Sequence, residues 1–430
     1  MSRSTASGRG VEVTDTTNSH IDAAGTPGRD VGLVSTNDPQ VDVAGTPGRD
    51  VGLIGTADRQ ADVAAAPGQG VGLVSTADRQ VDVAGRGVRL VGTTDPQVDV
   101  VGTPDPRVPD VSIVVPVRAR SGPLRRLLAS VAGQVGDGPR VEVVVVDNPT
   151  PDNAGWLRTA DLPFPVLYTC VSTANRGLAR NVGAHLARGA TLLFTDSDVR
   201  FAAGAVRRVA KASAALPRTL VMADVVFPPD EPRGLGTHLF DVAAYFRAYR
   251  SQRRLGPLQF RHFVSCCFAV PREDFLGLGG FDPGFTAYGY EDVEFAIRAE
   301  RDGLSFDLEP ARVYHHKPLA PASVLARSVE LGRSAVRLVD LHPDIERVMP
   351  VGVAAAAAGE LHFDPDFDVR DLLDRARRVE RRWAGGRRSA PLSETRSLLA
   401  EARDVYERIA RYGRFTGIRE HVPTDPEAVR

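Results

Sequence analysis

From Asp110 onward the chain carries four short apolar runs rich in β-branched residues: VSIVVPV (111–117), VEVVVVD (141–147), VLYTCV (166–171) and TLLFTD (191–196). Their near-continuous hydrophobicity is that of strands covered on both faces, not of strands with one wet face. Between them stand GPLRRLLASVAGQ (122–134) and NRGLARNVGAHLARG (175–189), whose apolar residues recur at helical spacing. Buried strands alternating with helices predict right-handed βαβ units and an open parallel sheet with helices on both faces. Ligands bind such sheets beyond the carboxyl ends of the strands. Asp147 and Asp196 stand at two of those ends.

The flanking regions have different textures. Residues 1–110 contain no Phe, Tyr, Trp, Cys or Lys, and they repeat with a 20-residue period: IDAAGTPGRDVGLVSTNDPQ (21–40), VDVAGTPGRDVGLIGTADRQ (41–60), ADVAAAPGQGVGLVSTADRQ (61–80). No copy offers a large side chain for a core, so 1–109 reads as a low-complexity, disordered extension. The alternative is a β-solenoid or partner-binding arm, because each copy could supply Val-rich strands around a Pro-Gly turn. Beyond residue 318 three segments (323–341, 368–384 and 392–413) carry amphipathic helical stripes. They are expected to pack on the α/β domain or on another subunit and show no chemistry of their own. The expected organisation is thus 1–109 repeats, 110–318 α/β domain and 319–430 helical extension.

Charge and cysteine usage exclude several classes. Fifty-three basic residues balance 54 acidic ones, a formal net charge of −1, and no Lys/Arg-rich run marks a nucleic-acid arm. No segment approaches the roughly 20 apolar residues that would cross a bilayer. The opening MSRSTASGRGVEV lacks the apolar core of a signal peptide. Three cysteines (Cys170, Cys266 and Cys267) cannot build a disulfide scaffold. The expected location is the cytoplasm, or the periphery of the inner membrane.

Three constellations could carry chemistry. Asp196-Ser197-Asp198 follows a buried strand directly; carboxylates at i and i+2 there suit a hard divalent cation, Mn²⁺ or Mg²⁺, shared with phosphate oxygens. In FDPGFTAYGYEDVEFAIR (281–298), glycines and tyrosines lead into a helix that opens with Glu291-Asp292. A helix N-terminus favours ionised acids, and an ionised carboxylate beside a hydroxyl can act as general base; capping of an ordinary amphipathic helix is the competing reading. Glu294 reads as a helix-surface acid. Third, ARVYHH ends a strand-like segment with His315 and His316. Alternation sends the two rings to opposite faces, so one of them is expected to join a metal site.

The order of these motifs resembles family 2 glycosyltransferases. The resemblance rests on VSIVVPVRAR, EVVVVDN, NRGLARNVGAHLARGATLLFTDSDV, FVSCCFAVPREDFLGLGGFDPGFTAYGYEDVEFAIR and VYHH, with the later part similar to a galactosyltransferase-type region carrying G-[WY]-G-x-E-D. It covers about 111–317. It implies a GT-A fold, the α/β sandwich that binds nucleoside diphosphate sugars, here with a helical C-terminal extension and an N-terminal repeat region. It implies Pro116 and Arg118 where the first strand meets the nucleotide, Asp147 on the base, Asn175 to Arg180 along the nucleotide-sugar site and Asp196 on ribose or sugar. It further implies Asp198 with His315 or His316 as metal ligands, Glu291 on sugar hydroxyls and Asp292 as catalytic base. Tyr288 and Tyr290 replace a tryptophan common at this point of the family.

The activity implied is metal-dependent, inverting transfer from a nucleoside diphosphate sugar, UDP-linked in the first instance, to a hydroxyl on a glycan, lipid, peptide or small molecule. Two rivals stand beside it. One is a retaining transferase of the polypeptide N-acetylgalactosaminyl type, which usually has Glu-Asn where this chain has Glu291-Asp292. The other is a noncatalytic interaction protein whose repeats do the work. A nicotinamide oxidoreductase is discarded: ARSGPLRR follows the first strand, not G-x-G-x-x-G.

Overall fold

The computed structural model describes residues 107–421 except 119–120, 137, 149–150, 172, 231–233, 241, 316–318, 350, 359–367 and 387–391, together with nine short strands between residues 21 and 101. All four apolar runs form strands: β1 (Val111–Arg118), β2 (Val141–Asn148), β3 (Val166–Cys170) and β4 (Thr191–Thr195). They are parallel in the spatial order β3-β2-β1-β4. Helices α1 (Ser121–Ala132), α2 (Pro151–Thr159) and α3 (Arg176–Leu186) make the crossovers. Ile113, Val114, Val143, Val144 and Leu193 are fully buried, as expected of strands covered on both sides.

The second half departs from the expected all-parallel sheet. After β5 (Val199–Phe201), α4 (Ala205–Ala215) and β6 (Thr219–Val226), helices α5 (Leu235–Phe240) and α6 (Val242–Leu255) lead to β7 (Cys267–Pro271). β7 runs antiparallel to β4 with Thr195 opposite Cys267. β8 (Ser305–His315) is parallel to β6, with a bulge at Ala223/Asp224, and antiparallel to β5, with Val199 opposite His315. The sheet order is β5-β8-β6-β7-β4-β1-β2-β3, and the short strand Asp99–Val101 extends the β3 edge antiparallel. An edge strand therefore comes from before Asp110. Within the repeats, Ile21 lies opposite Val41 and Val51 opposite Val71, one 20-residue period apart.

An aromatic cluster fixes the end of the sheet where the acidic motifs lie. Phe194 of β4 stacks on Phe268 of β7 with centroids 4.9 Å apart and meets Phe275 of α7 (Arg272–Gly277) at 4.6 Å. Phe281 meets Phe295 of α8 (Glu291–Arg301) at 4.8 Å. Such ring pairs add about 0.5–1.5 kcal/mol each beyond the area they bury. They seat α8 against β4 and β7.

The helical extension packs on the α/β domain. Helix α9 (Pro321–Leu341) is followed by the short α10 (Ile345–Val348) and α11 (Val353–Ala357); α9, α12 (Val369–Gly386) and α13 (Leu392–Arg419) share a core with Leu235 of α5, and the Glu380 carboxylate accepts the backbone N–H groups of Leu235 and Gly236. α9 and α13 approach backbone to backbone: a Cβ on Gly417 would lie 1.9 Å from the Val329 carbonyl oxygen. Only glycine allows that crossing. No helix among the described residues is long and apolar enough to cross a membrane.

Candidate active site

Two adjoining cavities open beyond the carboxyl ends of β1, β2 and β4. The first, about 210 Å³, is lined by Pro116, Val117, Arg118, Asn148, Thr173, Asn175, Arg176 and Asp196 to Asp198. The second, about 360 Å³, has Ser265, Cys266, Tyr288 to Val293 and His315 along its wall and shares Arg176 and Asp196 with the first. A third cavity, about 490 Å³, lies elsewhere; of its charged lining residues Arg250 pairs with Asp224 and Arg253 with Asp307 at 2.8 Å, and Arg254 also lines it.

β1 and α3 build the first cavity. Asn175 caps α3, its Oδ1 accepting from the Leu178 N–H at 2.9 Å while its Nδ2 donates to the Pro283 carbonyl at 2.6 Å. The side chain thus ties the α3 turn to the loop before α8. Asp147 departs from its expected role on the base. It is fully buried, accepts from Asn153 Nδ2 and Tyr168 Oη at 3.0 Å each, and is not among the cavity-lining residues. Its neighbour Asn148 lines the first cavity instead, because successive residues of a strand face opposite sides.

Arg180 also differs from a simple wall residue of the nucleotide site. It is fully buried, donates to Asp196 Oδ1 at 2.9 Å and to the Ser265 carbonyl at 3.3 Å, and reaches Glu291 Oε1 at 3.4 Å. One guanidinium joins the acid that ends β4 to the acid that opens α8. Its planar fork suits this better than an ammonium would. Arg176 adds a second contact to Glu291 at 3.6 Å. Burial would lower the Arg176 pKa, but Asp196 and Glu291 outweigh it and raise it. Glu291 Oε2 is buried and has no hydrogen-bond partner among the described residues.

Asp292 sits where the chain is strained. Gly289 has φ 95° and Tyr290, the residue before α8, has φ 64°, a left-handed conformation uncommon for a tyrosine. This turn leaves Asp292 half-buried, accepting from the Val293 N–H at 2.9 Å and the Ser265 N–H at 3.5 Å. Burial, then the Glu291 charge, pushes its pKa up to about 7 against the opposing pull of Arg180 and the two N–H groups. The expectation that the helix N-terminus keeps both acids ionised at neutral pH therefore fails for Asp292: desolvation and a like charge exceed the helix dipole.

The β5–β8 register brings the third constellation to the first. His315 Nε2 lies 3.4 Å from Asp198 Oδ1, and both side chains are buried. Donor atoms of Asp196, Cys266 and His315 all lie within 4.8 Å of one another. Carboxylates with an imidazole suit a divalent cation. His316 lies outside the described residues. Two further expectations change. Glu294 is buried, not a surface acid, and holds Arg298 at 2.8 Å and His342 at 3.4 Å. The helical extension, expected to show no chemistry, lines the second cavity with Arg327, Leu331 and Arg414, and Arg327 donates to Tyr288 Oη at 2.5 Å. Sequence reading missed Cys266 and these helical residues; only their amphipathic pattern was visible, and it points to packing.

A mixed sheet of this order, with acids at the end of β4 and at the start of α8, has the GT-A type of fold. Residues 112–278 match glycosyl transferase family 2, and residues 251–318 match the family described as the N-terminal domain of galactosyltransferase. Over residues 112–278, less than half of the chain, the sequence is thus similar to family 2 glycosyltransferases. An uncharacterized glycosyltransferase of Bacillus subtilis, YfnE, is 26% identical over 253 residues, 48% of this chain and 64% of that one. A validoxylamine A glucosyltransferase of Streptomyces hygroscopicus subsp. limoneus is 28% identical over 223 residues, 46% of this chain and 49% of that one. The chain spans about half to two thirds of the length of these relatives. Among solved structures, a mannosyltransferase of Pyrobaculum calidifontis in complex with GDP-Man and Mn²⁺ aligns with TM-score 0.44 at 18% identity, covering 73% of this chain and 87% of that one.

Proposed function

We propose that the protein is an inverting glycosyltransferase that moves a sugar from a nucleoside diphosphate donor, UDP-linked in the first instance, to an acceptor hydroxyl. One observation carries this reading: Asp292, with its pKa near neutrality, borders the same cavity as Asp196 and His315. In this reading Pro116, Arg118, Asn148 and Asn175 cradle the nucleotide, and Arg180 holds Asp196 and Glu291 at a fixed separation along the sugar. Asp292 takes the proton from the acceptor hydroxyl as that oxygen attacks the anomeric carbon from the face opposite the leaving diphosphate. A base poised near neutral pH suits that task better than an ordinary aspartate. Asp198 and His315 would hold a divalent cation, Mn²⁺ or Mg²⁺, whose charge neutralises the departing diphosphate. The family 2 domain, with the helices that line its second cavity, forms the catalytic unit, and the repeats lie outside it. The test is a mass-spectrometric screen of nucleotide sugars with Mn²⁺, followed by NMR of the product's anomeric configuration. Inversion supports the reading; retention transfers the chain to the N-acetylgalactosaminyl-type mechanism.

A further inference from the structure

We infer that Cys266 supplies a sulfur donor to the metal centre of this cleft, so that the cation is held through mixed oxygen, nitrogen and sulfur ligands. The inference rests on the cation proposed above and adds a ligand that the acidic motifs do not contain. The sheet itself brings the thiol there. Because Thr195 pairs with Cys267 across β4 and β7, Cys266 lies opposite Asp196, whose N–H donates to the Cys266 carbonyl at 2.9 Å. On the other side, the pairing of Val199 with His315 carries the imidazole to the same point. The result is a carboxylate oxygen, a ring nitrogen and a thiol sulfur within 4.8 Å of one another, with Asp198 3.4 Å from the same imidazole.

That spacing fits one ion. With metal–ligand lengths of about 2.0–2.3 Å, two ligands at the tetrahedral angle on a single cation lie roughly 3.3–3.8 Å apart. Side-chain movements of up to about 1 Å would close the shell. Arg180 takes Asp196 Oδ1 at 2.9 Å, which leaves the second oxygen of that carboxylate for the cation. The adjacent cysteine has a different fate: Cys267 is fully buried among the aromatic rings, and burial pushes its thiol up to about 12. Cys266 lines the second cavity.

A sulfur ligand changes which ions the site prefers. Thiolates select thiophilic ions such as Zn²⁺, Co²⁺ and Cd²⁺, whereas an oxygen-only shell suits Mg²⁺ and Mn²⁺. The thiol proton passes to solvent as the metal binds. The experiment uses the full chain carrying Cys170→Ser, which removes a thiol outside the cluster, titrated with Co²⁺ and followed by absorption. The expected spectrum contains visible d–d bands and a near-ultraviolet thiolate-to-cobalt charge-transfer band. Cys266→Ser should abolish the charge-transfer band, keep the d–d bands and lower Cd²⁺ affinity by about tenfold or more, with Mn²⁺ affinity changed much less. Cys266→Ala guards against a serine that coordinates. A Co²⁺ complex with d–d bands but no sulfur band, or one unchanged by either variant, overturns the inference and leaves the oxygen–nitrogen site standing. If neither Co²⁺ nor Mn²⁺ binds, the proposed metal site fails along with it.

Discussion

Replacing Arg180 by methionine removes the guanidinium that hydrogen-bonds both Asp196 and Glu291 and keeps the apolar stem length. The guanidinium is fully buried, makes bonds of 2.9 and 3.3 Å to Asp196 and Ser265, and lies 3.4 Å from Glu291. Its loss leaves two carboxylates beside one another, with Arg176 the nearest counter-charge at 3.6 Å from Glu291. Removing one partner of a buried ionic network costs about 3–5 kcal/mol, most of it from the charge left uncompensated. Urea unfolding followed by circular dichroism should therefore show Arg180→Met less stable by that amount. The double variant Arg180→Met/Glu291→Gln, which also removes a stranded charge, should recover on the order of 1–3 kcal/mol through coupling of neighbours. A cost for Arg180→Met below about 1 kcal/mol, or a double variant no more stable than the single, would refute the bridging role.

Three further outcomes are expected. Because Asp292 is raised from 3.8 to about 7, it is protonated below neutrality and cannot accept a proton there; kcat/KM should rise with pH through about 7. Glu291→Gln, by removing a like charge, should move that acid limb to lower pH, and a limb that stays put counts against the coupling. Asp198→Ala and His315→Ala should each weaken Mn²⁺ binding and Mn²⁺-dependent UDP binding together in calorimetry, since protein and diphosphate would share the ion; unchanged metal-dependent UDP binding removes them from the metal site. Gly417→Val should lower the melting temperature by several degrees, because its side chain would meet the Val329 carbonyl at the α9–α13 crossing; a melting temperature equal to wild type shows that the helices can part there without loss.

The parallel half of the sheet was legible because β1, β2 and β4 are covered on both faces, so burial wrote itself into continuous Val/Ile/Leu runs. The antiparallel half was not, because pairings such as Thr195 with Cys267 depend on register across a long insertion and leave no local period. The acids were visible as motifs, and the structure does bring Asp196, Asp198, Glu291, Asp292 and His315 to one cleft. Their charge states were not visible. Arg180 finds its partners 16 and 111 residues away, and the raised pKa of Asp292 comes from burial that no local pattern reports. Glu294 was misread for a related reason: α8 is covered on a second side by the extension, so an acid on its apparent outer face meets Arg298 and His342. Asp147 and Asn148 show the limit of placing a side chain by motif when strand alternation decides which neighbour faces the ligand.

If Asp292 performs the chemistry while other groups bind the donor, Asp292→Asn separates transfer from binding. Asparagine keeps the volume and can still accept a hydrogen bond, but it takes no proton at neutral pH. Donor binding, measured by calorimetry with a nucleotide sugar identified in the screen, should stay within a few fold of wild type. Transfer, measured on the same preparation by mass spectrometry, should fall by about 10²–10⁴, the usual contribution of a positioned general base. The control on this helix is Glu300→Gln, which changes an exposed acid in the last turn of α8 and keeps an oxygen to accept the Phe260 N–H. A folded Asp292→Asn protein that binds donor and transfers sugar at close to the wild-type rate would contradict the account.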